Sequence, residues 1–189
     1  MHPDAWLVVV DPQRIFASPE SPWGSPMFAD VVDPVRRLAA AAGARTVVTR
    51  WVPAPEPQGS WAAYLQAWPF ADVPEGDPLL EVVPELQGIA TEVVSLPTFG
   101  KWGYALQAVT GPNPHLVLTG VSTDCCVIST ALAAADAGAT ITVVTDACAG
   151  STPENHRAAM DVMALYPPQI TLATTDEVLG SGTGWGARS

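Results

Sequence analysis

Positive charge is scarce in this sequence: eight lysines and arginines stand against nineteen aspartates and glutamates, a formal charge of −11 over 189 residues. Nucleic acids and anionic membranes are held by clustered Lys and Arg, so neither is an expected partner. Histidine and cysteine are scarcer still, at three residues each. Cys125, Cys126 and Cys148 form no CxxC pair and no ladder of half-cystines, which points to a reducing, cytoplasmic setting. No apolar run reaches the ~18 residues of a membrane span. The N-terminus, MHPDAWLVVVDPQ, lacks the basic start and apolar length of a secretory signal. Charged residues make up only 14% of the chain and apolar residues 48%, the balance of a globular protein with a sizeable core. One domain over residues 1–189 is the expectation.

What is present is alternation. Short β-rich runs take turns with helical stretches, the pattern of a parallel α/β sheet. Strands are expected over residues 5–10 (AWLVVV), 45–50 (RTVVTR), 92–96 (EVVSL), 115–119 (HLVLT), 140–145 (TITVVT) and 169–173 (QITLA). Helices are expected over residues 33–42, closed by Gly43, over 123–137, closed by Gly138, and over 153–165. Residues 51–78 break the pattern, being rich in proline and carrying Trp51, Trp61, Trp68 and Phe70. Insertions of that length are usually functional or disordered, and the aromatic content favours a segment that covers a substrate or meets another subunit.

Ligands of an open parallel sheet bind outside the carboxyl ends of its strands. Asp11 follows the first strand, Lys101 lies in PTFGKWG after the third, and the adjacent cysteines lie in GVSTDCCV after the fourth. Singly, each has an ordinary reading: a turn aspartate before Pro12, a solvated loop lysine, a buried cysteine acting as a small hydrophobe. Together they place a base, a cation and a thiol at one edge. A helix starting near residues 122–124 would hold Cys125 or Cys126 in its first turn, where free N–H groups and the helix dipole favour a thiolate. Lys101 would lower the thiol pKa further. Asp11 could take the thiol proton and deliver it to a leaving amine, while first-turn N–H groups hold an oxyanion. Neighbouring helical residues differ by ~100°, so the two cysteines face differently, but geometry alone does not choose between them.

At these residues the chain resembles the isochorismatase-like cysteine hydrolases, among them nicotinamidases and the amidohydrolases of carbamoylsarcosine, maleamate and biuret. VVVDPQRIF, VVTR, PTFGKWG, LTGVSTDCCVISTALAAADAGATITVVTDACAG and ITLATTDEVL follow that family's order and spacing. The resemblance implies a three-layer α/β fold, a six-stranded parallel sheet with helices on both faces, and an Asp11–Lys101–Cys126 triad at its carboxyl edge. It makes Cys126, directly before Val127, the nucleophile and leaves Cys125 as a packing residue. It also implies a non-proline cis peptide between Val121 and Ser122, with the N–H groups of Ser122 and Cys126 forming the oxyanion hole. Phe16 would wall the pocket. Beside the resemblance, Trp51 and Trp61 of the tryptophan-rich segment are candidate substrate contacts, and Trp102, adjacent to Lys101, could wall the pocket too or merely pack.

The departures from that family are informative. The metal-binding Asp-x-His element of nicotinamidases would follow Arg50, where this chain has Trp51-Val52-Pro53. His2, His115 and His156 show no ligand spacing, so neither a metal nor any other cofactor is expected, and nicotinamide is disfavoured as substrate. Isochorismatases that cleave a vinyl ether do not use this cysteine, so its presence favours amide chemistry. Asp146 and Ser151 read as helix caps, and Asp124 as an acidic residue steadying the first helical turn. The expected activity is hydrolysis of a small amide or carbamoyl compound by a homo-oligomer, a dimer or tetramer. An ester or vinyl-ether hydrolase and a non-catalytic binding protein are the alternatives.

Overall fold

The structure, a computed structural model, describes residues 1–180; the remainder of the expected domain, 181–189, lies outside the described residues. Six strands run parallel in one sheet: β1 (Trp6–Val10), β2 (Thr46–Trp51), β3 (Glu92–Leu96), β4 (His115–Val121), β5 (Thr140–Ala149) and β6 (Ile170–Ala173), in the spatial order β3-β2-β1-β4-β5-β6. Side chains alternate across a strand, and the central strands are apolar on both faces. One face collects Leu7, Val9, Val48 and Val117; the other collects Val8, Val10, Val47, Leu116 and Leu118.

Helices cover both faces. α2 (Phe28–Ala42) brings Phe28, Val31, Val35 and Leu38 to the first face, joined by Val178 of α7 (Thr175–Gly180). The second face is covered by Leu106 of α4 (Tyr104–Thr110), Ala131 and Ala134 of α5 (Ile128–Asp136), and Met160 and Met163 of α6 (Pro153–Met163). Two shorter helices lie nearer the site, α1 (Arg14–Ala17) and α3 (Ser60–Ala67). The layers are those of the three-layer α/β expectation, and no described helix is long and apolar enough to cross a membrane.

Several boundaries differ from those read in the sequence. α2 starts a turn before residue 33, with Pro34 inside it. The missing Pro34 N–H deprives the Asp30 carbonyl of a partner, but Asp30 is exposed, while the added turn buries Phe28 and Val31. β5 continues past residue 145 to Ala149, because Asp146 does not turn the chain. Its Oδ1 accepts hydrogen bonds from Thr175 N (2.7 Å) and Thr175 Oγ1 (2.9 Å), so it caps α7 from within a strand. The expected helix over 123–137 opens as a π turn, Thr123–Val127, before becoming α5. The irregular 51–78 segment contains α3 and a 3-10 turn, Pro69–Ala71.

The strand order reverses between β1 and β4, so the connections leave those two ends in opposite directions and open a crevice. Asp11 sits at one end and Ser122 to Cys126 at the other. Close approach of these two strands requires Gly120: its φ is +102°, and a Cβ there would meet Val10 O at 2.2 Å.

Candidate active site

β1 delivers Asp11 with no exposed surface and a φ of 46°, a left-handed conformation uncommon for any residue but glycine. The backbone is held there by Gln13 N donating to Asp11 O at 2.7 Å and Asp11 N donating to Thr49 Oγ1 at 3.2 Å. The carboxylate is fixed on two sides. Oδ1 accepts from Thr49 Oγ1 at 2.7 Å, and Oδ2 faces Lys101 Nζ at 3.1 Å. The Lys101 ammonium and the Cys126 side chain both draw this carboxyl toward its ionised form.

Lys101 is fully buried as well. A lysine tolerates this only when paired and hydrogen-bonded; its Nζ donates to Thr98 O at 2.6 Å besides facing Asp11. Its loop is tied to the cysteine turn by one hydroxyl. Thr130 Oγ1 accepts from Lys101 N at 2.9 Å and donates to Cys126 O at 2.7 Å. Asp11, Lys101 and Cys126 are thus brought together from three distant parts of the chain.

The cysteine turn departs from a simple helix start. Ser122 O accepts from both Cys125 N (3.0 Å) and Val127 N (3.1 Å), the wider loop of a π turn; such turns recur at functional sites. The peptide between Val121 and Ser122 is cis, the geometry the resemblance implies. Asp124 lies in the first turn, as expected, and also reaches beyond it. Its oxygens accept from Ser151 N (2.8 Å) and Ser151 Oγ (2.7 Å), binding the cysteine turn to the β5–α6 connection. The cap of α6 is Thr152, whose hydroxyl accepts from Asn155 N at 3.1 Å. His156 meets Thr123 Oγ1 at 2.9 Å, and burial lowers its pKa.

The electrostatics reverse one expectation. Lys101 does pull the Cys126 thiol toward ionisation, yet the thiol is pushed well above its ordinary pKa by a side-chain hydrogen bond with Cys125, by burial and by the Asp11 carboxylate. A buried site without bulk water penalises the thiolate more than one ammonium, already neutralised by Asp11, can offset. Burial also raises the Asp11 pKa, with Lys101, Thr49 and Cys126 pulling the other way. Burial thus opposes ionisation of both Cys126 and Asp11, while Lys101 favours it in both.

Cys126 opens onto a cavity of about 160 Å3. Ser122, Asp124, Cys125 and Ser151 supply its polar lining; Phe16, Trp23, Trp51, Tyr64 and Phe99 supply aromatic walls, with Pro22 and Gly24 at the side. No Lys, Arg or His is among these lining residues. Trp23 is the hub of the wall, stacked on Phe16 at 6.0 Å and edge-on to Trp51, Trp68 and Phe70 at 5.5, 5.7 and 5.0 Å. Trp51 is located by Gln13, whose Oε1 accepts from Trp51 N (2.7 Å) and whose Nε2 donates to Trp51 O (2.9 Å) and Leu80 O (2.8 Å). The Tyr64 hydroxyl is pushed up to about 12, first by burial.

Of the expected substrate contacts, Phe16 and Trp51 line this cavity; Trp61 and Trp102 do not. Trp61 faces a neighbouring cavity of about 200 Å3, between the 51–78 segment and the end of β3, and packs on Phe99 and Tyr64 from behind. Trp102 adjoins Lys101 in sequence, but it packs against the second core face. Sequence reading missed Trp23, Tyr64 and Phe99. The available signals were a tryptophan in a Pro/Gly-rich stretch just after Phe16, and the phenylalanine of PTFGKWG itself. Among the described residues, no group of three or more His, Cys, Asp or Glu is gathered as a metal could use.

The family model for the isochorismatase domain matches residues 5–177. Solved structures with a similar fold include a cysteine hydrolase from Pseudomonas syringae pv. phaseolicola, 20% identical with a TM-score of 0.79, the match covering 95% of this chain and 93% of that one. An isochorismatase family protein from Desulfovibrio vulgaris is 21% identical, with a TM-score of 0.79 and coverage of 96% and 99%. N-carbamoylsarcosine amidase from Thermoplasma acidophilum is 22% identical, with a TM-score of 0.72 and coverage of 92% and 97%. At these identities the likeness concerns the fold. No curated protein matches the chain.

Proposed function

The chain belongs to the isochorismatase family of hydrolases, and on that premise we propose that it is a cysteine amidohydrolase, cleaving a carbon–nitrogen bond of a small amide or carbamoyl compound. One observation carries this reading: a fully buried Asp11–Lys101 ion pair stands behind a cysteine that opens onto an aromatic-walled cavity. Two buried charges are a heavy expense for a mere binding site, since a similarly shaped apolar pair is often as stable or more so.

In this mechanism Asp11 takes the Cys126 proton as Sγ attacks the carbonyl carbon. The N–H groups of Ser122 and Cys126 hold the oxyanion. Asp11 then returns the proton to nitrogen, the C–N bond breaks, and the amine or ammonia leaves a thioester on Cys126. Water, deprotonated by Asp11, attacks the thioester and regenerates the thiol. Lys101 remains an ammonium throughout, holding the carboxylate in place. The raised pKa of Asp11 suits a group that must both accept and return a proton. Every atom of this cycle comes from the chain, the substrate and water, with neither a metal nor a cofactor.

The cavity bounds the substrate. An apolar cavity of about 150 Å3 accepts one benzene, so about 160 Å3 admits one small ring or its aliphatic equivalent beside the reacting carbonyl. With aromatic walls and no basic lining residue, a flat, apolar portion without a carboxylate fits best. We carry the homo-oligomer into the same proposal: Tyr104 and Leu165, 89% and 79% exposed, are apolar surface that a second copy would cover. The test is an ammonia-release screen over small primary amides, carbamoyl compounds and ureides. One or more should be turned over by the protein and none by Cys126→Ala. Undiminished release by Cys126→Ala would refute the reading.

A further inference from the structure

Cys125 and Cys126 share one cavity wall in contrasting surroundings. Cys126 is 3% exposed, close against Asp11 and Lys101. Cys125 is half-buried, lines the same cavity, and is hydrogen-bonded to the Cys126 side chain. The third cysteine, Cys148, lies in the core with its Sγ 3.7 Å from Leu118 O, and burial pushes its thiol up. The nucleophile in thiol–disulfide exchange is the thiolate, and the entering S–S bond must reach it in line. Cys126 meets neither condition at rest. Its surroundings disfavour the thiolate, and at 3% exposure it offers an entering disulfide far less surface than half-buried Cys125.

We propose that Cys125 is a thiol-modification site at the catalytic cavity: a low-molecular-weight disulfide reacts there first, and the group it leaves behind closes the cavity over Cys126. The hydrogen bond from Cys126 draws the Cys125 thiol below its ordinary pKa, against burial and the nearby carboxylates. The Cys125 thiolate, its proton lost to solvent, attacks one sulfur of R–S–S–R. The S–S bond breaks, a Cys125–S–S–R bond forms, and RS⁻ leaves to take a proton from water. A small thiol reverses the exchange. A substituent of several heavy atoms occupies much of a cavity of about 160 Å3, given that one water takes about 30 Å3 of liquid. Asp124 in the wall and a formal charge of −11 favour a cationic disulfide over an anionic one.

The effect on turnover rests on Cys126 being the nucleophile; the site of modification does not. The full chain is treated with cystamine near neutral pH, quenched in acid, digested, and mapped by mass spectrometry with fragmentation between residues 125 and 126. The expected result is one half-cystamine adduct on Cys125 and none on Cys148, formed faster than with glutathione disulfide and removed by dithiothreitol. Amide turnover should disappear at the rate of adduct formation and return on reduction. Cys125→Ser, scored against its own untreated rate, should be inactivated at least about tenfold more slowly. A first adduct on Cys126, or no adduct on either residue, overturns the site. Full turnover with Cys125 modified, or unchanged inactivation of Cys125→Ser, overturns the closure. If no amide is turned over at all, the hydrolase reading fails while the mapping still decides the modification site.

Discussion

Asp11, Lys101 and Cys126 form the floor of the site, and each follows a strand end or a loop fixed to one by buried hydrogen bonds. Phe16, Trp23, Trp51, Tyr64 and Phe99 form the wall, carried by α1, the α1–α2 loop, the end of β2, α3 and the β3–α4 loop. The floor is polar, buried and held by directional contacts; the wall is apolar and partly exposed, held by rings packed on rings. Directional contacts fix a reacting atom to a fraction of an ångström, which catalysis needs. Ring packing fixes a shape while tolerating small shifts, which is enough to select a substrate. Changes in the floor should therefore appear in kcat, and changes in the wall mainly in KM.

The widest separation is expected from Asp11→Asn. It keeps the size of the side chain and its contact with Thr49 while removing the base. A fall in kcat of about 10²–10⁴-fold, with KM altered far less, is the expected outcome, read from steady-state kinetics on any amide the screen identifies. A variant with full kcat and a raised KM would move Asp11 into the wall and dissolve the comparison.

Lys101→Met comes next, because the floor is also the most costly place to leave a charge unpaired. Breaking a buried ion pair from one side typically costs about 3–5 kcal/mol, measurable by urea unfolding near neutral pH. It should also move a titration. Asp11 must be ionised to act as a base, so the rate falls as pH drops through its pKa. Burial raises that pKa, placing the acid limb of kcat/KM above the ~3.9 of an ordinary aspartate. Lys101 pulls the pKa down, so its loss should shift the acid limb to still higher pH. A limb that moved down or stayed fixed would show that the ammonium does not act on this carboxylate.

Trp23→Ala probes the wall at its hub. Removing a half-buried ring that meets Phe16, Trp51, Tyr64, Trp68 and Phe70 should cost about 2–3 kcal/mol of stability. KM for an apolar amide should rise about tenfold or more, with kcat within a few fold. A collapse of kcat at unchanged KM would show that the wall positions the reacting atoms after all.

The same division governs how much was legible in the sequence. The strand ends that carry Asp11 and the cysteines follow short apolar runs, and a parallel sheet gathers such ends at one edge whatever the loops do. The wall had no such rule. Trp23 lies in a stretch without periodicity, and Tyr64 reaches the cavity from a short helix inside a proline-rich segment. Trp102 was linked to the site by adjacency to Lys101, yet its side chain turns to the core. Even the floor was legible only coarsely. The π turn depends on Ser122 O accepting two N–H groups, and the raised Cys126 pKa depends on how the Cys125 side chain is turned toward it and on burial, neither of which a local pattern encodes.

Trp61→Ala should have the smallest effect and gives the sharpest test of where the wall ends. Trp61 faces the second cavity, and its ring meets Tyr64 at 5.3 Å and Phe99 at 4.8 Å without reaching the first cavity. Each aromatic pair contributes roughly 0.5–1.5 kcal/mol beyond buried area, and a partly exposed ring loses little burial besides, so a stability loss of about 1–2 kcal/mol is expected by urea unfolding. Tyr64 and Phe99 keep each other, with centroids 5.5 Å apart, and Tyr64 keeps Trp23. The first cavity should therefore retain its shape, and KM should change by no more than about threefold, since a shift of one of several packed rings is worth well under 1 kcal/mol in binding. A rise in KM as large as that of Trp23→Ala would mean that the two cavities act as one binding site, with Trp51, which lines both, as their shared wall. Longer amides should then bind better than short ones. A KM unchanged by Trp61→Ala, beside a large rise for Trp23→Ala, would confine the substrate to the space in front of Cys126.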